Sequence, residues 1–158
     1  GTAMITMGVG LGILMSVARA QHNRARVLLA RGRVPEAEGL ERTALSTRLR
    51  MLPAGHFETA LSQALLGEVL AARGRTAEAE RLLVEAVDGL RAGVEQDPKY
   101  AVYGLTALSG LYRRMGRPAE AEPLARDAAR RMARRMLGLQ RQWTISRRVI
   151  AGTQCSAR

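Results

Sequence analysis

Along most of the chain the apolar residues recur at three- and four-residue intervals, the spacing of a half-buried helix rather than a strand. Short breaks interrupt this pattern at Gly32, Gly74 and Gly116, and at the loops "MLPAGH" and "EQDPKY". The pattern predicts six helices, at about 14–31, 34–50, 57–73, 76–95, 99–115 and 118–137. Pro53 and Pro98 discourage helix continuation through the two loops. Gly138 is expected to end the sixth helix, and Gly8, Gly10 and Gly12 argue against a stable helix in the first dozen residues.

The breaks are periodic. "GRVPEAEGL" at residue 32 returns as "GRTAEAERL" at 74 and "GRPAEAEPL" at 116, an interval of 42 residues without a gap. Each glycine stands where a tight helix-to-helix turn needs positive φ. The glutamates that follow, Glu36 and Glu38 with their counterparts, fall in the first turn of the next helix. There they are expected to serve the helix dipole and solvation. Pro35 and Pro118 suit that first turn, whereas Pro123 lies deeper and should bend its helix slightly. Small residues pair across each turn: Ala25 with Ala37, Gly67 with Ala79, and Ser109 with Ala121, as a close crossing of two antiparallel helices requires.

"ALLGEVLAARGRTAEAERLLVEA" and "LSGLYRRMGRPAEAEPLARDA" resemble tetratricopeptide repeats, with Leu66, Gly67 and Leu70 followed by Ala79 and Leu83 in the family spacing. The 42-residue period resembles the kinesin-light-chain type of repeat. "LPAGHFETALSQALLG" is similar to C-terminal repeat regions of bacterial serine/threonine kinases and related regulators. The first repeat departs from the pattern, with Arg24 and Glu41 where leucines are expected. The resemblance implies an all-α, right-handed superhelical array of three helical hairpins, spanning residues 14–138 as repeats 14–55, 56–97 and 98–138. Residues 1–13 would be a lead segment, poorly ordered or foreign to the native protein. Residues 139–158 would form a basic capping helix or tail.

Such arrays are interaction modules that receive an extended or helical peptide in a groove lined by the first helix of each hairpin. Carried onto this chain, the groove positions are Arg19, His22 and Arg26; then Leu61, Ala64, Glu68 and Ala71; then Tyr103, Thr106, Arg113 and Arg114. Cationic ends around a small, apolar middle suit an acidic–apolar peptide. The asparagine–lysine clamp that some members use for terminal carboxylates is not present as a set.

Charge sharpens one part of this picture. The net charge of +11 is concentrated at the C-terminal end, where residues 126–158 hold nine arginines against Asp127 alone. Met132, Met136 and Leu139 form an apolar stripe there, with Arg130, Arg131, Arg134 and Arg135 opposite. The first reading is a cap, with Trp143 and Ile150 buried over the end of the array. The alternative is a basic regulatory arm for nucleic acid or anionic lipid, though Trp143 is its only aromatic residue. An exposed repeat end also offers a surface for self-association.

No phosphate loop, metal-ligand spacing or nucleophile elbow occurs, so neither catalysis nor a cofactor is implied. His22 and His56 have no ligand spacing and read as surface or cap residues, and Cys155, as the only cysteine, admits no internal disulfide. The apolar run from Met4 is too short for a membrane span of ~20 residues. A signal peptide over residues 4–20 is the minority reading, because no positive charge precedes that run. The location expected is therefore cytoplasmic. The arginine bias, with Lys99 the single lysine, hints at a bacterial source.

Overall fold

A computed structural model describes the backbone of residues 2–92 and 97–155, and the side chains of residues 10–92 and 97–144. Six helices follow one another: α1 Thr2–Ala30, α2 Val34–Met51, α3 Phe57–Ala72, α4 Thr76–Ala92, α5 Pro98–Arg114 and α6 Pro118–Cys155. The described residues contain no strand. Every predicted helix exists, and the described internal boundaries coincide with the predicted ones or differ by one residue. Residues 93–96, over which the fourth helix was expected to continue, lie outside the described residues.

The three hairpin turns are built alike. Gly32, Gly74 and Gly116 take φ of 74°, 77° and 72°, a conformation that costs any other residue strain. One residue on, the amides of Arg33, Arg75 and Arg117 donate back to the carbonyls of Leu28, Leu70 and Tyr112, each at 2.9 Å. This closing bond satisfies carbonyls that the helix end would otherwise strand. The inter-hairpin loops end on side-chain caps: His56 accepts from the Glu58 amide at 3.2 Å, and Asp97 accepts from the Lys99 amide at 3.0 Å.

Within each hairpin the small residues mark the crossing. A Cβ placed on Gly67 would lie 2.7 Å from Leu83 Cγ and 3.3 Å from the Ala79 carbonyl oxygen. At the equivalent point of the third hairpin, the Ser109 hydroxyl donates to the Ala121 carbonyl oxygen at 3.1 Å. Neighbouring hairpins then pack through two apolar clusters. Leu65 and Val69 of α3 pack with Ala25 and Ala37 of the first hairpin, and Leu105 and Leu111 of α5 pack with Leu83 and Val87 of the second.

Both ends of the chain depart from expectation. α1 begins at Thr2 and runs through Gly8, Gly10 and Gly12; α6 runs through Gly138 without a break. An interior glycine costs about 1 kcal/mol relative to alanine, too little to stop a helix flanked by Leu, Met, Ala and Arg. Pro123 is likewise contained within α6. Because α6 continues past Gly138 and does not turn back across the array, Trp143 is 61% exposed instead of buried as a cap. The side chain of Ile150 lies outside the described residues.

The paired glutamates also do more than serve the dipole. Glu36, Glu78 and Glu120 each take a two-pronged contact from the arginine three residues before. Glu38 and Glu80 instead reach the next hairpin, receiving Arg75 at 3.2 Å and Arg117 at 2.8 Å. Arg73 and Arg42 join Glu38 at 2.9 Å. Burial works to raise the Glu38 pKa, but the arginines around it prevail and hold it below the ordinary carboxylate value.

Candidate partner-binding groove

The first helices of the hairpins, α1, α3 and α5, lie side by side, with α3 touching both others. Their common face carries two concavities that meet at Tyr103. The larger, of about 550 Å³, lies between the N-terminal halves of α3 and α5 and the C-terminal half of α1. Its apolar wall is Phe57, Leu61, Tyr100 and Tyr103, and its cations are Arg19, Arg26, Arg48 and Lys99. The smaller, of about 420 Å³, has a small-residue floor at Ala71, Ala72, Ala107 and Gly110, with Glu68, Thr106 and Arg114 around it.

The larger cavity rests on a tilted aromatic pair. The Phe57 and Tyr100 rings lie 5.7 Å apart, and the Lys99 ammonium sits 4.9 Å from the centre of the Tyr100 ring. Both aromatics stand at the start of their helices, just after the inter-hairpin loops, where the caps on His56 and Asp97 set the entry angle. Tyr103 donates its hydroxyl proton to the Glu68 carboxylate across the α3–α5 boundary. Burial raises the Glu68 pKa, opposed by that hydrogen bond and by Arg114; burial and the Glu68 charge together push the Tyr103 phenol well above its ordinary value. The pair is therefore a fixed polar bridge between the two concavities.

Beneath the larger cavity lies a buried polar network. Arg48, only 2% exposed, donates to the Glu58 carbonyl oxygen at 2.9 Å and to Ser62 Oγ at 2.7 Å. Its Nε stands 3.8 Å from Glu58 Oε2, and neither atom has a hydrogen-bond partner among the described residues. Arg19 closes over the other Glu58 oxygen at 3.0 Å. Burial lowers the Arg48 pKa, with Glu58 and Glu41 acting against it. His22 Nδ1 meets Glu41 Oε1 at 2.9 Å, with the glutamate fully buried. His22 is thus a structural histidine, not a surface or cap residue; His56 is a cap.

The sequence-derived groove positions fall out unevenly. Arg19, His22, Arg26 and Leu61 line the larger cavity, Glu68, Ala71, Thr106 and Arg114 line the smaller, and Tyr103 lines both. Ala64 does not belong: it is 0% exposed, packed in the core between α3 and its neighbours. Arg113 also stands apart from both concavities, 3.7 Å from Glu122. Phe57, Tyr100, Arg48 and Lys99 were missed. One signal could have found the aromatics: the chain has five in all, and three of them line the larger cavity. Arg48 gave no such signal, because an arginine on a second helix reads as surface.

No group of three or more His, Cys, Asp or Glu side chains that could hold a metal ion occurs among the described residues. No described helix is long and apolar enough to cross a membrane. No curated protein matches the chain. The tetratricopeptide-repeat family model matches residues 16–92, and a second model of the same description matches residues 104–142. With the paired-helix repeats, their glycine turns and their small-residue crossings, these matches establish that the chain belongs to the tetratricopeptide-repeat family.

Proposed function

We propose that the chain is a non-catalytic scaffold that holds a peptide segment of a partner protein against α1, α3 and α5. Protein–protein interaction is the role its repeats suggest. The observation that carries the finer reading is the larger cavity, whose aromatic wall is rimmed by Arg26 and Lys99. An apolar or aromatic peptide side chain fits between Phe57, Tyr100 and Tyr103, while flanking acidic residues meet the cations. Arg19 and Arg48 contribute less to recognition, because Glu58 already sits beside both. Arg114 extends the cationic rim to the smaller concavity. The partner class is therefore an acidic segment with an apolar anchor.

The test is selection from a displayed random-peptide library, followed by titration of the enriched peptides. Enrichment of Asp or Glu beside Leu, Phe or Trp supports the reading. Arg26→Glu with Arg114→Glu should then weaken binding about tenfold or more without loss of helicity, since surface charge changes leave folding nearly untouched. Selection of basic peptides, or unchanged affinity in the double variant, sinks it. Salt-sensitive binding of a DNA duplex that disappears with residues 139–158 would favour the basic-arm alternative.

A further inference from the structure

Where hairpins meet, they meet by one rule, and both ends of the array leave that rule unused. Between the first and second hairpins, Ser62 receives Arg48, and Val69 is fully buried near Ala37 and Leu40. Between the second and third, a Cβ on Gly104 would lie 2.9 Å from Leu90 and 3.5 Å from Val87. In both cases the second helix of one hairpin packs antiparallel on the first helix of the next. Moved by the 42-residue period, the same positions are Ala20 and Val27 on α1 and Ala129 and Met132 on α6. Val27 is 48% exposed where Val69 and Leu111 are 0%, and Met132 is 40% exposed where Leu90 is 4%.

The two uncovered helices also overrun the array. Counted from α3 and from the end of α2, the period would start α1 at residue 15 and end α6 near residue 135, yet they extend to Thr2 and Cys155. In an antiparallel hairpin, the start of the first helix and the end of the second lie on one side, so both overhangs leave the array on that side. Each overhang continues an apolar seam with alternating three- and four-residue steps. On α6 the seam is Ala125, Ala129, Met132, Met136 and Leu139; on α1 it is Ile13, Val17 and Ala20, resuming at Val27 after Arg24 in the intervening position. Ile13, Val17, Met136 and Leu139 are 48–59% exposed. That spacing is the knobs-into-holes repeat of packed helices.

The inter-hairpin ion pairs are open at the same two places. Arg75 binds Glu38 and Arg117 binds Glu80 across successive boundaries. The next acceptor in that series is Glu122, and the preceding donor is Arg33; each side chain is 53% exposed.

The geometry points to a second copy of this chain as the occupant of both ends. α1 of one copy packs antiparallel on α6 of the next, repeating the α2–α3 and α4–α5 relationships. Continuing their register sets Ala20 against Met132, Val17 against Met136 and Ile13 against Leu139, and brings Arg33 to Glu122. A second copy is favoured because the two ends complete each other in charge, seam and overhang. The contact is head-to-tail, uses different surfaces on the two partners, and so builds open rows instead of a closed dimer.

The experiment is sedimentation velocity over a concentration series, with two single-face variants. Val17→Glu blocks the α1 face and Met132→Glu blocks the α6 face; both side chains are exposed in one chain, so helicity by circular dichroism should be unchanged. The unaltered chain should form a growing series of species, and each variant alone should be monomeric. An equal mixture of the two should stop at a dimer, because one open α6 face and one open α1 face remain. Arg33→Glu and Glu122→Arg should each weaken assembly, and mixing them should restore it. The proposal is overturned if the unaltered chain stays monomeric throughout, if either single-face variant still self-associates, or if the mixture does not dimerise.

Discussion

Arg117 reaches back over the hairpin boundary to Glu80 at 2.8 Å while gripping Glu120 of its own helix at 2.6 Å. Arg75 does the same with Glu38 and Glu78, one period earlier. The arginines after Gly74 and Gly116 thus tie their own hairpins to the one before. Arg33 has the intra-helix half of this arrangement alone. Arg117→Ala should therefore lower the melting temperature more than Arg33→Ala. In a Glu80→Gln, Arg117→Ala double variant the losses should be less than additive, since both remove one contact. Equal melting temperatures for the two arginine variants, or strict additivity, would show that the pairs hold nothing together.

The buried His22–Glu41 pair occupies positions that the second hairpin fills with Ala64 and Leu83. Glu41→Leu alone should destabilise by about 1–3 kcal/mol, because it strands a buried imidazole nitrogen. Adding His22→Ala copies the second hairpin and should recover most of that loss, as apolar replacements for buried polar pairs often do. Denaturant unfolding of the two variants checks this. If the double variant is less stable than Glu41→Leu, the pair is not separable from the Arg48 network below it.

Arg135 donates to Asp97 at 2.8 Å, fastening the middle of α6 to the cap of α5. This bond, with the Lys99 amide, holds the Asp97 pKa down to about 2. The folded state therefore binds this proton less readily than the unfolded chain, whose aspartate titrates near ~3.9. The stabilisation is present in full above that value and is lost as pH falls towards 2. The gap in melting temperature between the unaltered protein and Arg135→Ala should be widest above pH 5 and narrow steadily as pH falls towards 2. A gap independent of pH would assign the effect of Arg135 to packing.

Gly67 and Gly39 both lie inside helices but in opposite surroundings. A methyl group at Gly67 would meet Leu83 and the Ala79 carbonyl, whereas one at Gly39 would meet nothing within 4 Å. Gly39→Ala should stabilise by about 0.5–1 kcal/mol through helix propensity. Gly67→Ala should lose about 1–3 kcal/mol to overpacking, despite the same propensity gain. Matching shifts in urea midpoint would mean that the crossing at Gly67 is looser than its distances imply.

Periodicity alone determined the six helices, the turn glycines and the small-residue crossings, because each depends on contacts within a hairpin. A glycine at positive φ and an alanine at a helix crossing leave the same mark in every repeat, and repetition makes the mark legible. What lies between hairpins was decided only by tertiary structure. Glu38 and Glu80 looked like first-turn carboxylates until the next hairpin set Arg75 and Arg117 beside them. Arg48 is buried only because Ser62 and Glu58 close over it from α3, and Ala64 leaves the groove only because neighbouring helices cover it. The ends follow the same logic. Gly138 and Trp143 suggested a stop and a cap, but a lone glycine costs a helix little, and α6 carries Trp143 onward, exposed, past Gly138. Local periodicity specifies elements, whereas burial of a polar side chain requires a partner from another hairpin.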